Sequence, residues 1–149
     1  MRISAAGRAA VVLALAVAPA FAADPAPLST PAQQHFLQGM AYERLGRLPE
    51  AYSELQIAST LEAGNAQMAL ALGDVACRLG RIDPARRALE QSITLDAASV
   101  ASYFMLAMIY ESKGITDRAL DSWHRFAGLT QDELLKQLAQ KHIRRLEAQ

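Results

Sequence analysis

The sequence predicts an all-α protein: three helix-turn-helix units stacked on one another and closed by a C-terminal helix. Composition is the first reason. Apolar residues make up 52% of the 149 positions but aromatics only 6%, and alanine recurs throughout. A methyl side chain lets two helix backbones approach closely, and alanine is the best helix former. Strand-type runs of Val, Ile and Thr are few beyond residue 25. A repeat of 34 residues that stays in phase three times is the second reason, and the chemistry of the helix ends is the third.

Residues 1–22 carry an address rather than a fold. Arg2 and Arg8 flank the start of an apolar run, Ala9–Ala18, and Pro19-Ala20-Phe21-Ala22 places small residues at Ala20 and Ala22. That is the grammar of a secretory signal peptide cleaved after Ala22. The run is too short to cross a bilayer comfortably; the alternative is an uncleaved anchor. No cysteine lies near the cleavage point and no twin-arginine pattern is present. The expectation is therefore export before folding, a periplasmic or secreted protein of bacterial style, and no membrane insertion after cleavage. Pro25 and Pro27 keep the next stretch, 23–30, out of a helix and make it a spacer.

The repeat governs the rest, 31–149. Ala32–Asn65, Ala66–Ser99 and Val100–Glu133 align without a gap. Gly39, Gly73 and Ala107 share one column; Gly46, Gly80 and Gly114 share another; Ala51, Ala85 and Ala119 a third; Leu55, Leu89 and Trp123 a fourth. Tyr42 and Tyr110 match, and so do Leu61, Leu95 and Leu129. A period of this length signals stacked supersecondary units. Small residues at 39, 73, 107 and at 51, 85, 119 let the two helices of a unit cross closely. The glycines at 46, 80 and 114 end each first helix in a left-handed conformation. The large residues at 55, 89 and 123 fill the space toward the next unit.

Helix ends follow. Thr30-Pro31-Ala32-Gln33 reads as an N-cap, a first-position proline and a capping box. Asp83-Pro84 and Leu48-Pro49 read as the same device, and Thr130-Gln131-Asp132-Glu133 as a second capping box. Helices are expected at 31–45, 49–62, 66–79, 83–95, 100–113, 117–129 and 131–147. In the last, Leu135, Leu138, Ala139, His142, Ile143 and Leu146 form an apolar stripe, opposite Gln137, Lys141, Arg144 and Arg145. A stack needs such an end piece with one polar face, with Trp123 and Phe126 as its expected packing partners.

The columns Gly39/Gly73/Ala107, Tyr42/Tyr110, Gly46/Gly80/Gly114 and Ala51/Ala85/Ala119 resemble the tetratricopeptide repeat over Ala32 to Glu133. The family's aromatic near the start of each unit appears as His35, Ala69 and Tyr103, and the proline that often closes a unit is replaced by Ala63, Ala97 and Gln131. Phe126 is bulky where Ala58 and Ser92 are small. The resemblance implies a right-handed superhelix of three units plus the capping helix, with the first helix of each unit lining a concave groove. The groove positions it implies are Gln33, Phe36, Met40, Glu43 and Arg44; Gln67, Leu70, Asp74, Cys77 and Arg78; Ala101, Phe104, Met108, Glu111 and Ser112. Phe36, Met40, Leu70, Phe104 and Met108 would make an apolar strip bordered by Glu43, Arg44, Asp74, Arg78 and Glu111, fit for a peptide or amphipathic helix. The alternative is that Phe36, Leu70 and their neighbours are simply core. The Lys, Arg and Asn set with which some members of the family hold a C-terminal carboxylate is absent: the matching positions are Met40, Asp74 and Met108.

Chemistry is excluded on several counts. His35, His124 and His142 are far apart and none has a second ligand at metal spacing; Asp121 is a plausible local pair for His124. Cys77 is alone, so it forms neither an internal disulfide nor a zinc site; it is shielded or links two chains. No Gly-rich phosphate loop and no nucleophile triad can be argued. The 15 basic residues less Arg2 and Arg8 leave 13 against 15 acidic, about −2, which argues against general nucleic-acid binding. Arg78, Arg81, Arg86 and Arg87 read as a solvated face, or as an anion patch on the convex side. The expected function is a non-enzymatic, cofactor-free and metal-free interaction module, an adaptor or assembly factor, for another exported protein or peptide. The rival readings are self-association through end surfaces around His35 or the last helix, and an accessory role in an envelope polysaccharide or secretion system.

Overall fold

A computed structural model describes residues 29–148; the expected signal peptide and nearly all of the expected spacer lie outside them. Seven helices follow: α1 Pro31–Arg44, α2 Leu48–Leu61, α3 Ala66–Arg78, α4 Ile82–Leu95, α5 Val100–Ser112, α6 Thr116–Leu129 and α7 Glu133–Glu147. They pack as antiparallel pairs α1·α2, α3·α4 and α5·α6, each pair against the next, with α7 on α6. No described residue lies in a strand. The bounds fall within one or two residues of those expected.

Each pair is set by one close approach. An added Cβ on Gly39 would sit 2.7 Å from Cγ of Leu55, and one on Gly73 2.7 Å from Cγ and Cδ2 of Leu89. Neither contact leaves room for a methyl group. The third unit solves the same crossing with Ala107 and Trp123, both buried in one cluster: a flat indole tolerates the methyl that a branched leucine does not. Ala51, Ala85 and Ala119, opposite, are fully buried.

Between the helices of each pair, Gly46, Gly80 and Gly114 take φ values of +73, +70 and +68. The residue after each glycine donates back to the fifth residue before it: Arg47 to Tyr42, Arg81 to Ala76 and Ile115 to Tyr110, each at 2.9 Å. Carbonyls at the end of the first helix are thereby satisfied. The same residue's own carbonyl then accepts the first bond of the second helix, from Ala51, Ala85 and Ala119. One residue thus ends one helix and starts another.

This economy corrects two sequence-based expectations, and a side-chain cap at Asp132 corrects a third. Asp83 is not an N-cap: α4 starts at Ile82 after Arg81, which makes no side-chain cap, and Asp83 lies in the first turn, paired to Lys113 of the next unit at 2.8 Å. Pro49 likewise sits one position inside α2, which starts at Leu48. The capping box at Thr130 does not form; Asp132 caps α7 by accepting from Leu134 and Leu135, so the helix starts at 133 and not 131. The box at Thr30 and Gln33 forms as read, at 3.0 and 3.2 Å.

The core is uneven along the stack. Its largest cluster runs from Ala76 through Leu89, Leu106 and Trp123 to Leu146. The first unit contributes two small clusters, joined by half-buried Phe36. Polar contacts tie successive units. Arg81 lies 4.4 Å over the Tyr52 ring. Gln91 donates to the Ala63 carbonyl at 2.8 Å. Glu90 accepts from the Tyr110 hydroxyl, from Arg86 at 2.8 Å and from Arg118 at 3.2 Å. Arg78 is bound to Glu43 as well, so two of the four clustered arginines bind across the stack's own joints, and a third, Arg86, holds Glu90 from within α4.

Gly73→Ala should cost about 1–3 kcal/mol by overpacking, read from urea unfolding, and adding Leu89→Ala to it should destabilise by less than the sum of the two single changes. Burial by itself would raise the Glu90 carboxyl, but the bonds from Tyr110 and Arg86 outweigh it and hold it below the ordinary glutamate value. A carboxyl depressed in the folded state stabilises above its unfolded pKa and ceases to as pH falls through the folded one. Glu90→Gln should therefore be less stable than the wild type at neutral pH, with the gap closing below about pH 4.5 in the same urea assay.

Candidate functional site

Four helices run side by side along the inner face. Arg78 of α3 reaches Glu43 of α1 at 2.5 Å, α3 touches α5, and Arg145 of α7 reaches Glu111 of α5. The α7 helix therefore takes the slot of a fourth first-helix. Its sequence agrees: continuing the 34-residue count places Leu135, Leu138, His142 and Arg145 at the second, fifth, ninth and twelfth positions of a fourth unit.

The residues expected in the groove divide into three groups. Phe36, Met40 and Leu70 are half-buried and rest on the core while keeping a face outward. Phe36 with Gln33, Leu37, Gln67 and Met68 lines a hollow of about 370 Å³, and Leu70 with Gln67, Ser92 and Ser99 lines one of about 480 Å³. Met108 is 45% exposed. With Cys77, Ile82, Phe104, Met105, Ile109 and Ser112 it surrounds an apolar notch of about 270 Å³. The notch lies where the ladder of inner ion pairs is interrupted, because unit two offers Cys77 and unit three Ser112 at the positions that Glu43 and Arg78 fill at the previous joint. Cys77 is half-buried, and burial first, then Asp74, pushes its thiol up.

Phe104 belongs partly to the core: its ring meets Trp123 edge-on at 5.8 Å and Phe126 at 5.3 Å. Of the charged residues, Glu43 and Arg78 hold each other, Asp74 stands 3.8 Å from Arg78, and Arg44 is exposed at the end of α1. Glu111 is not a rim carboxylate open to a ligand. Its carboxylate accepts from the Trp123 indole N–H at 3.0 Å, from Nδ1 of His142 at 2.8 Å and from Arg145. The His142 ring stacks on Trp123 with centroids 4.4 Å apart. Burial, with Lys141 beside it, pushes His142 below the usual histidine value; Arg145 already offsets the charge of Glu111. A neutral imidazole at pH 7 donates from Nδ1. Glu111 is thus the clasp that fixes α7.

Leu135 and Leu138 also depart from expectation. The apolar stripe of α7 buries only Ala139, Ile143 and Leu146, while Leu135 and Leu138 remain 37% and 36% exposed. Leu138 shares the fifth position with Phe36, Leu70 and Phe104, so one apolar column crosses all four helices. The signal was in the sequence: the spacing from Phe104 to Leu138 is the repeat length itself. The face of α7 that would meet a further helix carries Gln137, Gln140, Lys141 and Arg144, all exposed. Among the described residues no group of three or more His, Cys, Asp or Glu side chains is placed to hold a metal ion, and no helix is long and apolar enough to cross a membrane.

No protein-family model and no curated protein matches the sequence. Solved structures do match in fold. The type III secretion chaperone SycD of Yersinia enterocolitica, in complex with a peptide of the translocator YopD, is 16% identical, with 82% of this chain and 97% of that one covered and a TM-score of 0.71. The first TPR of Spaghetti (RPAP3), bound to an HSP90 peptide, is 14% identical over 79% and 91% of the two chains, with a TM-score of 0.69. PcrH in complex with the chaperone binding region of PopD is 21% identical over 78% and 88%, with a TM-score of 0.65. The architecture is therefore that of tetratricopeptide domains: three helix pairs and a capping helix.

Glu111→Ala should strand the Trp123 and His142 donors and cost about 1–3 kcal/mol. Trp123 is the single tryptophan, so its emission should shift to the red and amide exchange across 133–147 should quicken; unchanged emission and exchange would remove the clasp.

Proposed function

We propose that this chain is an exported interaction module, an adaptor or assembly factor, that holds a peptide or helix of another exported protein along its inner face and carries out no reaction there. The observation that carries the reading is the apolar column Phe36, Leu70, Phe104 and Leu138, flanked by three open hollows and by side chains already paired with one another. Such a face offers burial of alternate apolar side chains and little charge for a ligand to satisfy, which suits an amphipathic helix or an extended apolar segment. The adaptable thioethers of Met40 and Met108 favour a surface that accepts more than one fit. The matched structures that hold partner peptides support the same reading by analogy of fold alone. Export rests on the composition of residues 1–22, and the envelope as the site of action follows from it.

Met108→Glu and Leu138→Glu test the face without touching its buried part, since both side chains are at least one-third exposed. Helicity and melting should stay within error of wild type, while retention of envelope proteins on the immobilised chain should fall about tenfold or more for the double variant, the loss expected from about 1.4 kcal/mol or more of binding energy. Equal retention of the same partners by wild type and double variant would dismiss the inner face as the binding surface. N-terminal sequencing of the chain recovered from the envelope should begin at Ala23.

A further inference from the structure

At every joint of the stack the tenth position of the incoming first helix is buried and the sixth packs against the core; the fourteenth does so at the first joint only, since Lys113 and Glu147 hold it exposed at the next two. In α3 these are Ala71, Val75 and Leu79, packed with Ala51 and Leu55 of the first unit. In α5, Ile109 is buried and Met105 rests on the core; in α7, Ala139 and Ile143 are buried. In α1 the same positions hold Leu37, Ala41 and Leu45. Leu37 is 61% and Leu45 72% exposed, matched among the large apolar side chains only by Leu134 at 74% and Leu61 at 56%. The opposite end of the stack is dressed for water by the polar face of α7. The first end is not.

We propose that the outer face of α1 seats a second copy of this chain, with the two α1 helices antiparallel about a two-fold axis through Ala41. The sequence is self-complementary for that arrangement. Leu37 and Leu45 stand four residues on either side of Ala41. A two-fold axis there sets Ala41 on its own copy, where a methyl permits close approach, and sets Leu37 against Leu45 of the second copy at both ends, as an isologous contact demands. About that axis Gln34 faces Leu48 and Gln38 faces Arg44 of the second copy, so no like charges are opposed, and Leu37, Ala41 and Leu45 keep charge out of the centre, the mark of an interface core. The pairing repeats the apolar contact that α3 makes on the first unit. The groove positions Gln33, Phe36, Met40 and Glu43 are a different set on α1; Leu37 alone touches both surfaces, at the edge of the hollow beside Phe36, so the rest of each inner face stays open. A dimer of this kind presents two grooves to a partner carrying two binding segments, and it raises avidity with no added contact.

Light scattering on the full chain as recovered from the expressing cell tests this across a dilution series. The expected result is a molar mass twice that of the monomer, falling to the monomer value on dilution. Leu37→Lys and Leu45→Glu should each give monomer at every concentration, with unchanged circular dichroism because both side chains are exposed. The double variant Leu37→Lys/Leu45→Glu should recover the dimer, because each lysine then faces a glutamate of the second copy, and should lose it again in about 1 M salt, where screening is nearly complete. A wild type that stays monomeric, as it would if residues 1–28 of the same chain covered the face, overturns the proposal. So does a Leu45→Glu chain that dimerises as strongly as wild type, or a double variant that stays monomeric.

Discussion

Everything in this molecule depends on how closely the two helices of a pair approach. At Gly39 against Leu55 and at Gly73 against Leu89 the gap admits a hydrogen atom and no carbon. That distance fixes the crossing of each pair. A fixed crossing, repeated at constant spacing, fixes the rotation from one pair to the next. The inner face, its apolar column and its hollows are the outcome of that rotation. Trp123 with Ala107 fills the same crossing in the third unit, and it is there that the aromatic cluster, the clasp on α7 and the apolar notch all gather.

The fold was legible in the sequence because its determinants are local and periodic. Gly46, Gly80 and Gly114 announce the turns, Gly39 and Gly73 the crossings, and the alanine column the partner surface. What misled were helix starts. Asp83 and Pro49 look like caps in isolation, but in these units the residue after the turn glycine already closes one helix and opens the next, so the second helix begins a residue or two before a side-chain cap would place it; Thr130 misled because Asp132, two residues on, caps α7 in its stead. Tertiary geometry overrides capping propensity at the first two positions.

The inner face was less legible, for a different reason. Position in a repeat tells which way a side chain points, not what it meets. Glu111 stands where Glu43 stands, yet one is bound by Arg78 of the following helix and the other by an indole, an imidazole and an arginine. The notch at Cys77 exists because two charged residues are missing from a ladder, and a gap is visible only once the rungs on either side are in place. Leu138 was read as one member of the apolar stripe by which α7 caps the stack, whereas the helix keeps the register of the repeat and leaves that side chain 36% exposed.

The uneven core gives the stack a direction. In a nearly one-dimensional array each pair is held by its own contacts and by its neighbours, and opening starts where both are fewest. The heavy cluster around Trp123 anchors the C-terminal half, whereas α1 and α2 rest on two small clusters bridged by one phenylalanine. On side-chain burial alone, unravelling is expected to run from the N-terminal pair inward, like a zipper with a locked lower end, and whatever covers Leu37 and Leu45 would act as its slider.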